Sequence, residues 1–284
     1  MAAFIPIGTV NSIASNLAAE STARVLAENT FLLQKSLARL SSGLRIVSAG
    51  DDPAGLAAAI RAESELNRVS AAQTNVTNAQ SYVETQTGFL NNVQDALDRM
   101  SELALLSSDD LTTDEQRSNY SEEFVELQSF VSTTGTKTFN GINLFSSSDF
   151  NVTVDPNGGT FSLNSLKYNE TGAGGGLSEV YDTADISTAA GALTASTKLE
   201  IATDNLSFML AKAGSHTQRL NLESGALSVH SENLTALDDS IMKVDTAAEA
   251  VRYATFQVRV DAATAMLVQA NLIPNRLLEL LNFS

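Results

Sequence analysis

The stretch VSAAQTNVTNAQSYVETQTGFLNNVQDALDRMSELA, residues 69–104, decides the fold. Apolar residues recur in it at seven-residue intervals, and a second set fills the intermediate positions with one polar exception. The first set is Val69, Val76, Val83, Leu90, Leu97 and Ala104, the second is Ala72, Ala79, Val93 and Met100, and Gln86 is the exception. Two apolar positions in each heptad form the seam of a coiled coil.

This helix has a clear start signal. Asp51-Asp52-Pro53 places an acidic cap before a proline at the first helical position. We interpret the two aspartates as caps rather than as a catalytic carboxylate pair. A helix from Ala54 to Leu106 would span about 80 Å at the usual rise per residue.

The same spacing returns in the second half of the chain. The residues are Leu199, Leu206, Ala213, Leu220, Leu227, Leu234 and Ile241. A narrow apolar stripe on a long helix must be covered by another helix. Because the two seams have comparable lengths, we expect the two long helices to pack against each other within the chain.

Shorter seams occupy the two ends of the chain. The residues are Leu26, Leu33 and Leu40, with Leu37 on the same side, and Val251, Val258 and Ala265. The first helix should end at Ser41-Ser42-Gly43, where glycine suits a left-handed cap. The last helix is expected over 251–281, with Pro274 interrupting its seven-residue pattern before a short apolar tail at 277–281. Most helix stability comes from packing. We therefore expect this pair to order fully only against other copies, although the pattern also allows a monomeric bundle.

The middle of the chain is different in kind. A helix is expected over 113–130, followed by an Asn140-Gly141 turn signal. Alternating Val152, Val154, Phe161 and Leu163 predict one β-hairpin, and the Gly-rich residues 172–176 predict a linker. The sequence thus predicts a mainly α fold, a long antiparallel helical coiled-coil bundle from both chain ends with a small β-hairpin region in the middle.

Composition excludes several classes of function. The net charge of −16 argues against binding to nucleic acid or to anionic lipid, and the absence of Cys excludes thiolate chemistry. The two histidines, His216 and His230, would lie about 21 Å apart on a straight helix and cannot share a metal. No phosphate loop, dinucleotide fingerprint or zinc-protease pattern is present. We predict no enzyme, no cofactor and no metal.

Several segments resemble the terminal signatures of bacterial flagellins. The N-terminal one comprises Arg39, Leu40, Ser41, Ser42, Gly43, Leu44, Arg45, Asp51, Asp52 and Gly55. Phe139-Asn140-Gly141 resembles a turn of that family, and Val268-Gln269-Ala270-Asn271 with Pro274 resembles its C-terminal signature. The matches lie in the right order at both ends and cover most of the chain outside the middle.

The resemblance implies an architecture and a function. Residues 1–47 and 246–284 would form an inner-tube coiled coil, 48–147 and 188–245 a helical outer-tube domain, and 148–187 a short variable segment in place of a large outer domain. The chain would be the structural subunit of the extracellular flagellar filament. The alternative within the same apparatus is the hook–filament junction protein, a hook-associated protein with similar ends.

The resemblance also implies partners and a route. Residues 1–7 lack the basic and apolar regions of a signal peptide, which by itself favours the cytoplasm. Flagellins are exported unfolded by the flagellar type III apparatus. Expected partners are other flagellin subunits, an export chaperone, and the filament cap and hook-associated proteins. Arg99, Leu103 and Glu122 match positions by which many flagellins engage the innate receptor TLR5, although Ser101 replaces a basic residue common there.

Overall fold

The computed structural model describes residues 16–170 and 176–282, with side chains only as far as Leu272 beyond the gap. Residues 1–15, 171–175 and 283–284 lie outside the described residues, so all of the predicted linker at 172–176 but its last residue is outside them too. The helices are α1 (Leu17–Ser42), α2 (Pro53–Ser108), α3 (Asp114–Thr134), α4 (Ser178–Thr183), α5 (Ala189–Met242) and α6 (Thr246–Asn282). The strands are β1 (Thr138–Phe139), β2 (Ile142–Asn143), β3 (Phe150–Thr153) and β4 (Thr160–Leu163). The predicted mainly α fold is confirmed.

Contacts divide the chain into two compact units, which we call the terminal unit (Met1–Glu63 with Thr235–Ser284) and the central unit (Ser64–Leu234). In the terminal unit, α1 packs antiparallel to α6: the Asn16 side chain donates to the Ala270 carbonyl at one end, and Ser36 donates to the Glu249 carbonyl at the other. Leu44 forms an isolated antiparallel bridge with Lys243. The predicted glycine cap is confirmed, since Gly43 ends α1 with a φ of 70°.

In the central unit, the seams of α2 and α5 face each other. Every predicted seam residue of α2 between 69 and 104 is buried, and so is every predicted one of α5 from Leu199 to Leu234. Polar contacts fix the antiparallel register, because Gln80 donates to Asn221 at 2.8 Å and His230 pairs with Glu65 at 3.2 Å. The predicted pairing of the two long helices is therefore confirmed.

The polar exception in the α2 seam has a specific partner. Gln86 is buried, and its side-chain amide donates to the carbonyl of Leu144 at 2.5 Å. One turn earlier, the Tyr82 hydroxyl donates to the carbonyls of Asn143 and Leu144. A buried carbonyl without a donor costs about 1–3 kcal/mol. Gln86 and Tyr82 therefore anchor the turn after β2 to the long helix.

The middle of the chain holds two hairpins, whereas one was predicted. The predicted hairpin is β3–β4, with Phe150 opposite Leu163 and Thr153 opposite Thr160. The second, β1–β2, has two-residue strands closed by Asn140 and Gly141, both at positive φ. Positive φ at both central positions is the geometry that Asn-Gly favours in a tight hairpin turn. The turn signal was correctly read, but the strands are too short for an alternating pattern.

The structure sets the bounds of three helices more closely than the sequence does. The last helix was expected to reach Leu281 with Pro274 interrupting only its seven-residue pattern, and α6 does continue through Pro274 to Asn282. A proline removes one backbone donor and can bend a helix without ending it. The helix α5 begins at Ala189, ten residues before the first seam leucine. The predicted α3 is extended at its end to Thr134, and it starts at a capping box formed by Thr113 and Gln116.

Gly88 offers a direct test of the helix energetics. It lies inside α2, and an added Cβ would meet no neighbouring atom within 4 Å. Gly88→Ala should raise the free energy of unfolding by about 0.5–1 kcal/mol, because alanine loses less backbone entropy in a helix. Urea unfolding of the unassembled chain measures this. Gly55→Ala in the same helix is the control and should destabilise, since its Cβ would overlap Asp52 and Ile46. A loss of stability in Gly88→Ala would contradict the analysis.

Candidate assembly surface on the terminal helices

The contact between α1 and α6 buries little apolar material. Among the described residues of these two helices, the buried ones are Asn29, Ser36, Glu249, Ala263 and Ala270. None has a large apolar side chain, whereas the central unit buries side chains such as Phe124 and Tyr168. Apolar burial is the main favourable term in helix packing. The α1–α6 pair therefore has a weak core of its own.

The predicted seam of α6 faces away from α1. Val251 and Val258 are each 67% exposed, and Ala265 is also exposed. Leu272, a further seven residues along, is exposed as well. These residues do not cover α1 within the chain, because the side of α6 towards α1 carries Glu249, Ala263 and Ala270. The heptad spacing instead forms a row of apolar side chains on the outward face, which we call the α6 outer row.

Helix α1 shows a similar division. Its predicted seam residues Leu26, Leu33 and Leu40 are half-buried. Leu37, predicted on the same side, is exposed, and so are the large apolar residues Leu17, Val25 and Phe31. Exposed apolar side chains that recur along both partners of a helix pair mark an interaction surface rather than a finished bundle.

The segment between α1 and α2 is held by a charged network. The Asp51 carboxylate pairs with Lys35 of α1 at 2.5 Å and accepts the backbone amides of Val47 and Ser48. Together these contacts lower the pKa of Asp51 to about 2, and the hydrogen bond from Lys35 is the largest cause. Asp51 thus joins the end of α1 to the turn that precedes α2.

The other signature residues also have defined places. Asp52 caps α2 by accepting the amide of Gly55 at 2.8 Å, which confirms the predicted cap. Arg45 donates twice to the Ile241 carbonyl at the end of α5. The Ser42 hydroxyl accepts the amide of Leu44. The Nε of Arg39 is buried and has no acceptor among the described residues.

Charge is divided unequally between the two units. The terminal unit has nine Lys and Arg against 11 Asp and Glu, a net charge of −2. The central unit has eight against 22, a net charge of −14. Like charge opposes close association of identical molecules. The terminal unit is therefore the part of the chain that can pack densely against copies of itself with little repulsion.

The residues weighed for other chemistry form no shared site. His216 is buried against Phe161, with ring centroids 5.8 Å apart, and burial lowers its pKa. His230 is bound to Glu65. Among the described residues there is no group of three His, Cys, Asp or Glu side chains that could hold a metal ion. None of the described helices is long and apolar enough to cross a bilayer.

The three residues predicted to meet an innate receptor differ in exposure. Arg99 is half-exposed and binds Glu123 through two hydrogen bonds and Glu102 through a third. Glu122 is exposed. Leu103 is fully buried in the core of the central unit. A protein that meets the folded chain could therefore touch Arg99 and Glu122 but not the side chain of Leu103.

Comparison with known proteins identifies the family. A family model described as the bacterial flagellin N-terminal helical region matches residues 13–149, and one described as the C-terminal helical region matches residues 196–281. The chain belongs to the bacterial flagellin family. The two matches cover both units and leave out only the short ends and the hairpin-to-α5 region.

Relatives within the family align along nearly the whole chain. The flagellar filament 33 kDa core protein of Treponema phagedenis is 30% identical, over 94% of this chain and 98% of its own length. The flagellin of Halalkalibacterium halodurans is also 30% identical with the same coverage. A solved structure named as a flagellar hook-associated protein from Vibrio parahaemolyticus superposes with a TM-score of 0.57 at 18% identity, over 68% of this chain and 99% of that one. That last likeness shows a shared fold.

The Asp51 network gives a test based on pH. Its pKa lies below the ordinary 3.8, so the carboxylate stabilises the fold above about pH 4, and this stabilisation is lost as the pH falls towards 2. Asp51→Asn should lower stability at pH 7 by about 1 kcal/mol. The difference from wild type should shrink between pH 4 and pH 2 in thermal melts followed by circular dichroism. Asp52→Asn is the control and should change little, because Asn caps helices as well as Asp. A difference that did not depend on pH would contradict the assignment.

Proposed function

We propose that copies of this chain assemble through the outward faces of α1 and α6, and that this assembly builds an extracellular filament. The chain is a structural subunit of the bacterial flagellar filament, as its family and its relatives named filament core proteins indicate. The observation that carries the assembly proposal is the α6 outer row. It is apolar, has heptad spacing, and is left uncovered by the chain's own α1.

The physical argument has two steps. Full burial within the α1–α6 pair is limited to small and polar side chains, while the larger apolar ones are at most half-buried, so the pair gains only part of the possible stability from its own contact. Val251 and Val258 would each contribute about 1–2 kcal/mol when moved from water into a helix–helix contact. Neighbouring copies would supply the missing surface, and folding of the pair would then be coupled to assembly.

The low net charge of the terminal unit supports the same reading, because it permits dense packing of copies against one another.

The proposed layering follows from the sequence resemblance. Residues 1–47 and 246–284 would form the inner tube, 48–147 and 188–245 the outer tube, and 148–187 a short variable segment. The compact units divide at different residues, 63 and 235. They describe contacts within one chain, and the layer boundaries within a filament stay a prediction.

Export, partners and receptor recognition complete the proposal. The resemblance supports export through the type III apparatus and binding of an export chaperone. It also supports contact with the hook-associated proteins and growth of the filament beneath a cap protein. Recognition by TLR5 through Arg99 and Glu122 is part of the same proposal, without the side chain of Leu103. The absence of enzymatic activity fits a family of structural proteins and stays a prediction.

The hook–filament junction is the alternative role. The solved hook-associated structure shares the fold at 18% identity, which does not bear on the role. Three relatives named flagellar filament core proteins match 94% of this chain at 27–30% identity. We therefore favour the filament subunit, and abundance of this chain in sheared filaments would distinguish the two roles.

Val258→Glu tests the assembly surface. The side chain is 67% exposed in the single chain, so the variant should fold with an unchanged circular dichroism spectrum. It should fail to form sedimentable polymers, because burying an unpaired charge in a helix contact is costly. Leu111→Glu is the control, since Leu111 is 89% exposed in the central unit and lies outside the proposed surface. Normal polymerisation of Val258→Glu would refute the assembly role of the α6 outer row.

A further inference from the structure

A groove opens on the central unit between α2, the β1–β2 hairpin and strand β3. It is lined by residues of α2 between 75 and 82, by residues 139–142 of the hairpin and by all of β3, and we call it the hairpin groove. Its volume is about 810 Å³, within the range of small-molecule sites. No Asp, Glu, Lys, Arg or His is among the described residues that line it, although the unit has a net charge of −14.

Three aromatic rings from three elements meet in the hairpin groove. The ring centroid of Tyr82 in α2 lies 6.1 Å from that of Phe139 in β1 and 5.9 Å from that of Phe150 in β3, with interplanar angles of 82° and 69°. All three side chains are half-buried. The Tyr82 hydroxyl already donates to the carbonyls of Asn143 and Leu144. The three rings therefore offer mainly apolar surface to the groove.

Four asparagines accompany these rings in the lining. Asn75 and Asn78 lie on α2, Asn140 lies in the turn between β1 and β2, and Asn151 lies in β3. All four are exposed, and none of their side-chain amides makes a hydrogen bond to another described residue. Each amide has two donor hydrogens and one acceptor oxygen. Because they come from three elements, donors and acceptors are spread around the groove and do not follow one edge of it.

This lining favours one chemical class of ligand. A charged ligand would lose hydration and gain no ion pair, and a wholly apolar ligand would cut the amides off from water. A peptide added to the open edge of β3 would use the backbone of that strand, which has four residues, and would not need the amides of α2. A sugar ring has apolar C–H faces and hydroxyl groups that both donate and accept, so it suits the rings and the amides together.

We propose that the hairpin groove binds a neutral oligosaccharide. The C–H faces of its sugar rings lie against Phe139 and Phe150, and its hydroxyl groups bond to the four asparagine amides. The site is complete within one chain, because all of its lining belongs to the central unit. Binding of the sugar is therefore independent of the assembly proposed above.

Titration of the unassembled full-length chain tests the proposal. The probes are cellotriose, maltotriose and triacetylchitotriose, followed by calorimetry and by saturation-transfer NMR. At least one should bind saturably, and irradiation of the aromatic protons of the protein should transfer saturation to its C–H protons. Trigalacturonate, an acidic trisaccharide, should bind about tenfold more weakly or less, because the lining offers no cation to its carboxylates. Absence of saturable binding by all three neutral probes would overturn the proposal.

Paired asparagine variants locate the bound sugar. Asn78→Ala combined with Asn151→Ala removes two amides from the groove and should weaken binding about tenfold. Asn91→Ala combined with Asn92→Ala is the matched control, since these exposed residues lie on α2 outside the groove and should bind the sugar like wild type. None of the four amides has a partner among the described residues, so both variants should melt close to wild type. Asn78→Ala alone, which favours the helix, should weaken binding in the same direction.

The outcomes decide between the groove and other sites. Loss of affinity confined to the groove variants supports the proposal. Equal loss in the groove and control variants, or loss in neither, would mean that the sugar binds elsewhere and would overturn it. Tighter binding of trigalacturonate than of the neutral probes would overturn it as well, and so would binding of an extended peptide of alternating Thr and Val where no sugar binds. Polymerisation plays no part in these measurements, so their failure leaves the assembly proposal untouched.

Discussion

The structure depends on one constraint, which is that a long helix with a narrow apolar stripe must find another helix to cover it. The central unit meets this constraint within the chain, because the seam of α2 closes on the seam of α5 along its whole described length. The terminal unit does not. The residues that its two helices bury fully are small or polar, larger apolar side chains between them are at most half-buried, and apolar residues stay exposed on the outward faces. The same sequence pattern therefore closes a core within the chain in the central unit and leaves apolar residues exposed in the terminal unit.

Electrostatics follows the same division. The net charge of −14 on the central unit favours solubility and keeps single molecules apart, while the terminal unit is nearly neutral. Several basic side chains make contacts within their own unit. Lys35 pairs with Asp51, Arg45 donates to the Ile241 carbonyl at the end of α5, and Arg99 of α2 pairs with Glu123 of α3. Charge repulsion between copies therefore comes mainly from the central unit and not from the helices that are proposed to associate.

The sequence predicted the long seams well because each residue there makes the same kind of contact. The start of α2 at Pro53 and the end of α1 at Gly43 were also predictable, since caps depend on local residue types. The partner of Gln86 could not be predicted, because the Leu144 carbonyl comes from a hairpin 58 residues away. The side of α6 that faces α1 could not be predicted for a related reason. A heptad repeat indicates that a face is buried but not whether the partner belongs to the same molecule.

The α6 outer row also bears on how long an assembly can become. A row that contacts a different surface on the next molecule is a heterologous contact, and such contacts close into rings or continue without limit. Each added molecule would cover one such row and present another, identical one. Nothing in the row itself supplies a stop, so the final length would be set by the supply of molecules and by whatever occupies the growing end.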